Sequence, residues 1–269
     1  MENISQEKTD YRTQGTANEL AIAEYLQNKK VKDLNDHWKP LIKKMFPNCK
    51  EKDLIKSWRH YDHMAKPDIK IRVGKDVINL SIKTGKIPSI HKERTTLFFK
   101  FLEANGVSKR TIHIINFFHY GRTWKKSDHG RPYTKEKLIK EYNQYFTQAN
   151  AELNSNKELL RKIAMLCFFE GNDDNREKAD FLYYGVVDKG ILFSQEEVVD
   201  IISRDVSNYK RGIHYGGLIH NPCSRNPKEI DNCNIRFKWP MLAVLFYDND
   251  PDKYIKNNLD LEKAENNNK

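Results

Sequence analysis

The reading of this chain turns on residues 66–83, KPDIKIRVGKDVINLSIK. Ile69, Ile71 and Val73 alternate with Lys70 and Arg72, the period-two pattern of a half-buried strand. Gly74-Lys75-Asp76 interrupts the run with turn chemistry. From Val77 to Lys83 the alternation resumes, with Ile78, Leu80 and Ile82 on one face and Asn79, Ser81 and Lys83 on the other. Two alternating runs joined by a short glycine-containing connection predict a β-hairpin. Its polar face carries Asp68 at the start of one strand and Ser81 and Lys83 at the end of the next. A carboxylate beside a lysine can bind a divalent cation while the ammonium steadies a phosphate or a water.

These residues resemble the PD-(D/E)XK nuclease superfamily, the fold of most type II restriction endonucleases. In that family a Pro-Asp on one strand is followed on the next by an acidic residue, any residue and a lysine. Pro67-Asp68 matches the first half and Ser81-Ile82-Lys83 the second, with Ser81 where the acid is usual. A branch of restriction enzymes, including those that read CCGG-type sites, has the same Ser-x-Lys and takes its acid from the following helix. The resemblance, over about residues 12 to 120, implies a mixed central β-sheet flanked by helices. It also implies Mg2+-dependent hydrolysis of phosphodiester bonds in double-stranded DNA, commonly by a homodimer with one site per strand.

The same resemblance assigns roles. Asp68 coordinates Mg2+; Lys83 orients or helps deprotonate the attacking water and stabilises charge on the scissile phosphate. Ser81 leaves space or holds a water. Glu93, in the first turn of a helix expected from Ser89 to about Ala104, is the displaced acid and second ligand. The alternative for Glu93 is a surface carboxylate that complements the helix dipole. Glu19 matches the glutamate that many such nucleases carry on their first helix. Thr16 with Glu19 three residues on is also a capping box, which makes Glu19 structural.

Length and charge set the frame for these roles. The 269 residues suffice for one large domain or a domain with an appended lobe. Lys and Arg number 47 against 37 Asp and Glu, a formal charge of +10, which suits a polyanionic partner such as nucleic acid. Basic tails and solvated helix faces give the same sum. With no apolar run near the ~20 residues that span a bilayer and no signal-peptide core, a soluble cytoplasmic protein without a membrane partner is expected. Cys49, Cys167, Cys223 and Cys233 lack CxxC spacing, which argues against a zinc ribbon or disulfide scaffold and for reduced thiols.

Along the chain, residues 1–14 read as a loose arm and 15–30 as a helix with an apolar stripe from Leu20 to Leu26. Trp38, Leu41, Ile42 and Met45 sit at helical spacing, and a short helix is expected around 54–60. Lys86, His91 and Arg94 cluster where the helix from Ser89 begins, a place for a phosphate. Residues 111–120, TIHIINFFHY, predict a strand. The loop 121–132 interleaves Arg122, Lys125 and Lys126 with Trp124, which suits backbone contacts to DNA; an ordinary solvated loop reads the same way. Helices are expected at 134–153 and 157–169, and a polar break at 171–175.

The expected organisation is thus an α/β nuclease core over 1–170, an α+β C-terminal lobe over 171–250, and a frayed tail over 251–269. In the lobe, 181–187, 213–219 and 235–239 read as strands and 196–204 as a helix. Arg211, Arg225, Arg236 and Lys238 make it the candidate for sequence reading, because Arg and Lys pair with guanine edges or phosphates. The reading is a Mg2+-dependent endonuclease of the restriction type. Its rivals are a binding protein on a degenerate nuclease fold, for which Ser81 marks lost catalysis, and a repair or antiviral effector nuclease.

Overall fold

A computed structural model describes residues 11–62, 65–85, 89–121, 135–171, 175–204, 212–223 and 234–239. The alternation around Gly74 forms the hairpin it predicts. β2 (Ile69–Val73) and β3 (Asp76–Lys83) pair antiparallel, with Ile69 opposite Leu80 and Ile71 opposite Ile78. Gly74 takes φ 62° at the first position of the two-residue turn, a left-handed conformation natural to glycine.

This hairpin is the middle of a five-stranded mixed sheet. β1 (Ile55–Arg59) lies antiparallel to β2, while β5 (Phe181–Val186) lies parallel to β3 and pairs antiparallel with β6 (Lys189–Phe193). The order is β1-β2-β3-β5-β6. One face packs against α1 (Tyr11–Leu26) and α2 (Trp38–Met45): Ile22, Leu26, Trp38 and Ile42 share a core with Ile55, Ile69, Ile71, Leu80 and Tyr183, all fully buried. Each such side chain contributes roughly 1.5–3 kcal/mol relative to exposure. A one-residue slip would turn the whole set to the other face, so the packing holds Asp68, Ser81 and Lys83 in register.

Contacts group residues 1–84 with 169–195 in one unit and 85–168 with 196–269 in a second. β5 and β6, which a division at residue 170 assigns to a C-terminal lobe, therefore belong to the first unit's sheet. The second unit has its own antiparallel sheet, ordered β4-β9-β8-β7, from β4 (Ser89–Glu93), β9 (Ile235–Lys238), β8 (Leu218–Asn221) and β7 (His214–Tyr215). Its helices are α3 (Thr95–Ala104), α4 (Lys109–Tyr120), α5 (Lys135–Ser155), α6 (Lys157–Met165) and α7 (Gln195–Ser203). Phe98 of α3 meets Tyr215 and Phe237 edge-on, and Phe118 of α4 meets His220 and Phe146.

Four expectations are corrected. Residues 111–120 are helical, as α4: the Ser108 hydroxyl accepts from the Thr111 amide, Gly121 closes the helix at φ 66°, and Thr111, Ile115 and Phe118 form its buried stripe. Residues around 54–60 form strand β1, not a helix, because Ile55 and Ser57 bury on the face shared with β2 while Lys56 stays exposed. The helix expected from Ser89 begins only at Thr95; residues 89–93 are claimed by pairing with β9, more than 140 residues later in the chain. Cys49 and Cys167 are free thiols as expected, but Cys223 is disulfide-bonded.

Candidate active site

Asp68 stands one residue before β2, held by backbone bonds on both sides. Its amide donates to Leu80 O at 2.9 Å, and its carbonyl accepts from the His60 amide at 2.9 Å. The side chain is fixed as firmly. Oδ2 accepts from the Ile82 amide at 2.5 Å, Lys83 Nζ at 3.1 Å and Ser81 Oγ at 3.2 Å. Oδ1 accepts no hydrogen bond among the described residues, so one carboxylate oxygen is anchored and the other is left to bind.

Lys83 Nζ donates to Asp68 Oδ2, to Ser81 Oγ at 3.1 Å and to Ile82 O at 2.8 Å, which uses all three ammonium protons. Ser81 is buried and bridges the pair, donating to Asp68 and accepting from Lys83. It is a neutral linker where an acid would have carried charge. The Asp68 and Lys83 side chains are 22% and 20% exposed, open enough for a ligand to reach them.

A third element joins from α1. Glu19 Oε2 lies 3.5 Å from Arg59 Nε at the end of β1, both side chains largely covered. Burial raises the Glu19 carboxyl above its ordinary range, and the Asp68 charge raises it further; Lys83 and Arg59 pull the other way. Glu19 therefore shares an electrostatic site with Asp68 and Lys83. The capping-box reading is corrected: α1 begins at Tyr11, so Thr16 lies inside the helix. Beside the site, Glu177 binds Lys70 Nζ at 2.5 Å and the His60 ring, and the Lys70 bond above all lowers its carboxyl.

Glu93 belongs to the second unit, as the last residue of β4, not a helical first turn. It is buried, and both oxygens have donors: Oε2 contacts His91 Nε2 at 3.0 Å and Oε1 accepts from the Arg94 amide at 2.7 Å. Arg94 is the N-cap of α3, with no side-chain capping bond. Arg236 is exposed on β9 opposite Lys92, and Lys238 pairs with Ser89 and Ile219, so one face of this sheet carries three cations. Lys86, Arg122, Lys125, Lys126, Arg211 and Arg225 lie outside the described residues.

Among the described residues, no three His, Cys, Asp or Glu side chains cluster as a metal site. The donor set nevertheless suits Mg2+, which takes one or two carboxylates and completes its shell with water and phosphate oxygens. Asp68 and Glu19 supply two carboxylates whose mutual repulsion, visible in Glu19, a divalent cation would relieve. Two participants escape sequence reasoning. Arg59 is visible there only as a near neighbour of Asp68, and Glu177 comes 109 positions after it, with no local pattern to mark it.

No family model matches the chain, and no curated protein matches it in sequence. Among solved structures it is similar to the restriction endonuclease MspI in complex with its cognate DNA. The TM-score is 0.59 at 15% identity, over 88% of this chain and 93% of that one. The chain thus has a restriction-endonuclease-like fold, a mixed five-stranded sheet flanked by helices.

Proposed function

We propose that this chain is a Mg2+-dependent endonuclease that hydrolyses phosphodiester bonds in double-stranded DNA, of the type II restriction kind. The observation that carries the reading is the Asp68–Ser81–Lys83 network with Glu19 beside it, on a restriction-endonuclease-like sheet. Asp68, through its uncommitted Oδ1, and Glu19 would hold the cation. When bound, the cation supplies Lewis-acid polarisation of a phosphate oxygen and lowers the pKa of a water.

The chain's own residues do the rest. Ile82, Ser81 and Lys83 lock one oxygen of Asp68, so the carboxylate is oriented before any ligand arrives. Lys83 brings a full positive charge to the same spot. Redirecting one of its three N–H bonds to a phosphate oxygen stabilises the negative charge that builds up as water adds to phosphorus. Ser81 keeps that ammonium positioned without adding a competing anion. Exposed Arg236 and half-buried Lys238, with Arg94 and His91 in the same unit, are the groups we assign to DNA backbone or base contacts.

The test is incubation of purified protein with long duplex DNA in Mg2+ and in EDTA. Mg2+-dependent cutting is expected, and a defined fragment ladder marks the restriction type; smearing or structure-selective cutting marks a repair or antiviral nuclease. Binding without any cutting would support the degenerate-fold reading. Glu93→Gln separates the two candidate acids: with Glu19 as second ligand it cuts as wild type, whereas Glu19→Gln does not. A homodimer, one site per strand, is expected by sedimentation in the presence of DNA.

A further inference from the structure

We propose that Arg59 is a phosphate-binding residue of this site, held by Glu19 until a divalent cation engages that carboxylate and then freed to grip the DNA backbone. The inference rests on the reading of Asp68 and Glu19 as the cation's ligands. Arg59 is the last residue of β1, and the next amide, that of His60, bonds the Asp68 carbonyl at 2.9 Å. The guanidinium is therefore tethered one residue from the segment that carries Asp68.

Its present partner satisfies it poorly. Arg59 Nε is buried, and the Glu19 oxygen it faces lies 3.5 Å away, an ion pair at the outer limit of hydrogen-bond reach. A guanidinium fork in such a place matches the paired oxygens of a phosphodiester better than it matches this contact. Charge balance points the same way. Glu19 and Asp68 against Lys83 and Arg59 sum to zero, which attracts no phosphate. A divalent cation brings the set to a formal +2, which a phosphodiester and an ionised water would neutralise. Arg59 thus opposes the cation for Glu19 in the free protein and assists the phosphate once the cation is bound.

These two roles have opposite signs, which a merely structural residue would not show. The measurements are Ca2+ binding by calorimetry on the protein alone, Ca2+ being another cation that takes oxygen ligands, and binding of a labelled mixed-sequence duplex by anisotropy in Ca2+ and in EDTA. Arg59→Gln is expected to tighten Ca2+ binding at least threefold without DNA. It is expected to weaken duplex binding in Ca2+ at least tenfold, with little change in EDTA. Arg59→Lys keeps the charge but not the fork: Ca2+ affinity within twofold of wild type and duplex binding in Ca2+ weakened at least threefold are expected. If Arg59→Gln does not fold, the lysine variant decides alone, and unchanged duplex affinity overturns the proposal. Loss of both affinities together, or change in neither, overturns it as well. Wild-type protein that binds no Ca2+ overturns the cation reading itself, and the role of Arg59 with it.

Discussion

Ser81 has the most consequential side chain of the site for its size. Where an acid would repel Asp68, its hydroxyl joins Asp68 Oδ2 to Lys83 Nζ and leaves the pair balanced. Asp68 in turn accepts from the Ile82 amide, so Asp68→Ala would strand a donor as well as remove a ligand, at about 1–3 kcal/mol of stability. Asp68→Asn keeps an acceptor in place. It should fold nearly as wild type by thermal melting while losing Mg2+-dependent cutting. Lys83→Ala should lower the cleavage rate by roughly 10²–10³-fold, as loss of a charge aimed at the transition state typically does. Glu19 adds a pH signature. Its folded-state affinity for a proton is raised by burial and by Asp68. The folded state therefore holds that proton to a higher pH than the unfolded chain, and stability falls as pH climbs from the ordinary glutamate value of 4.5 through the raised one. Divalent-cation affinity should run the other way, weakening as pH drops through the same window. Calorimetry across that range on wild type and Glu19→Gln checks this: the variant should bind weakly with a flat profile, and an unaltered wild-type-like slope would remove Glu19 from the site.

At the scale of elements, the hairpin β2–β3 is continued by a strand from far along the chain. β5 lies parallel to β3, with Ser81 opposite Leu182 and Lys83 opposite Tyr184, so the site's second strand is buried between neighbours and not at an edge. That arrangement depends on the β5–β6 turn, where Gly185 and Gly190 face each other across the pair. A Cβ on Gly190 would lie 2.2 Å from the Tyr183 ring, which itself packs 4.9 Å from the Trp38 ring and donates its hydroxyl to Val186 O. Gly190→Ala should therefore force Tyr183 out of place and cost about 1–3 kcal/mol, the usual penalty of overpacking. Chemical denaturation measures it; a variant as stable as wild type would show that this corner of the core yields. The helix α4 shows how an element can defy its composition. TIHIINFFHY is rich in β-branched and aromatic residues, yet the Ser108 cap and the Gly121 stop bracket a helix whose period-3.6 stripe is the buried one.

The molecule as a whole carries a formal +10, and no helix among its described residues is long and apolar enough to cross a membrane. If that charge serves phosphate binding, DNA affinity should fall steeply between low and physiological salt, with a log–log slope near −0.9 for each phosphate neutralised. A flat dependence in anisotropy titrations would mean a merely solvated basic surface. Arg236→Ala and Lys238→Ala should each reduce that slope by about one if these residues meet phosphates. What the sequence determined by itself is what neighbouring residues can settle. The alternation of Ile69, Ile71, Ile78, Leu80 and Ile82 dictates a two-faced hairpin and so brings Asp68, Ser81 and Lys83 to one polar face; the strand at 181–186 and the helix at 195–203 are legible for the same reason. Tertiary structure decided the rest, because burial and pairing depend on partners that local periodicity does not contain. Residues 55–59 became a strand by docking on β2, and 89–93 by pairing with 235–238. Glu93 was thereby placed on a strand, with both its oxygens engaged, and Glu19 was brought by α1 within reach of Arg59 and the field of Asp68. A carboxylate's neighbours, and hence its chemistry, are set by which elements converge on it, and only the folded chain makes them converge.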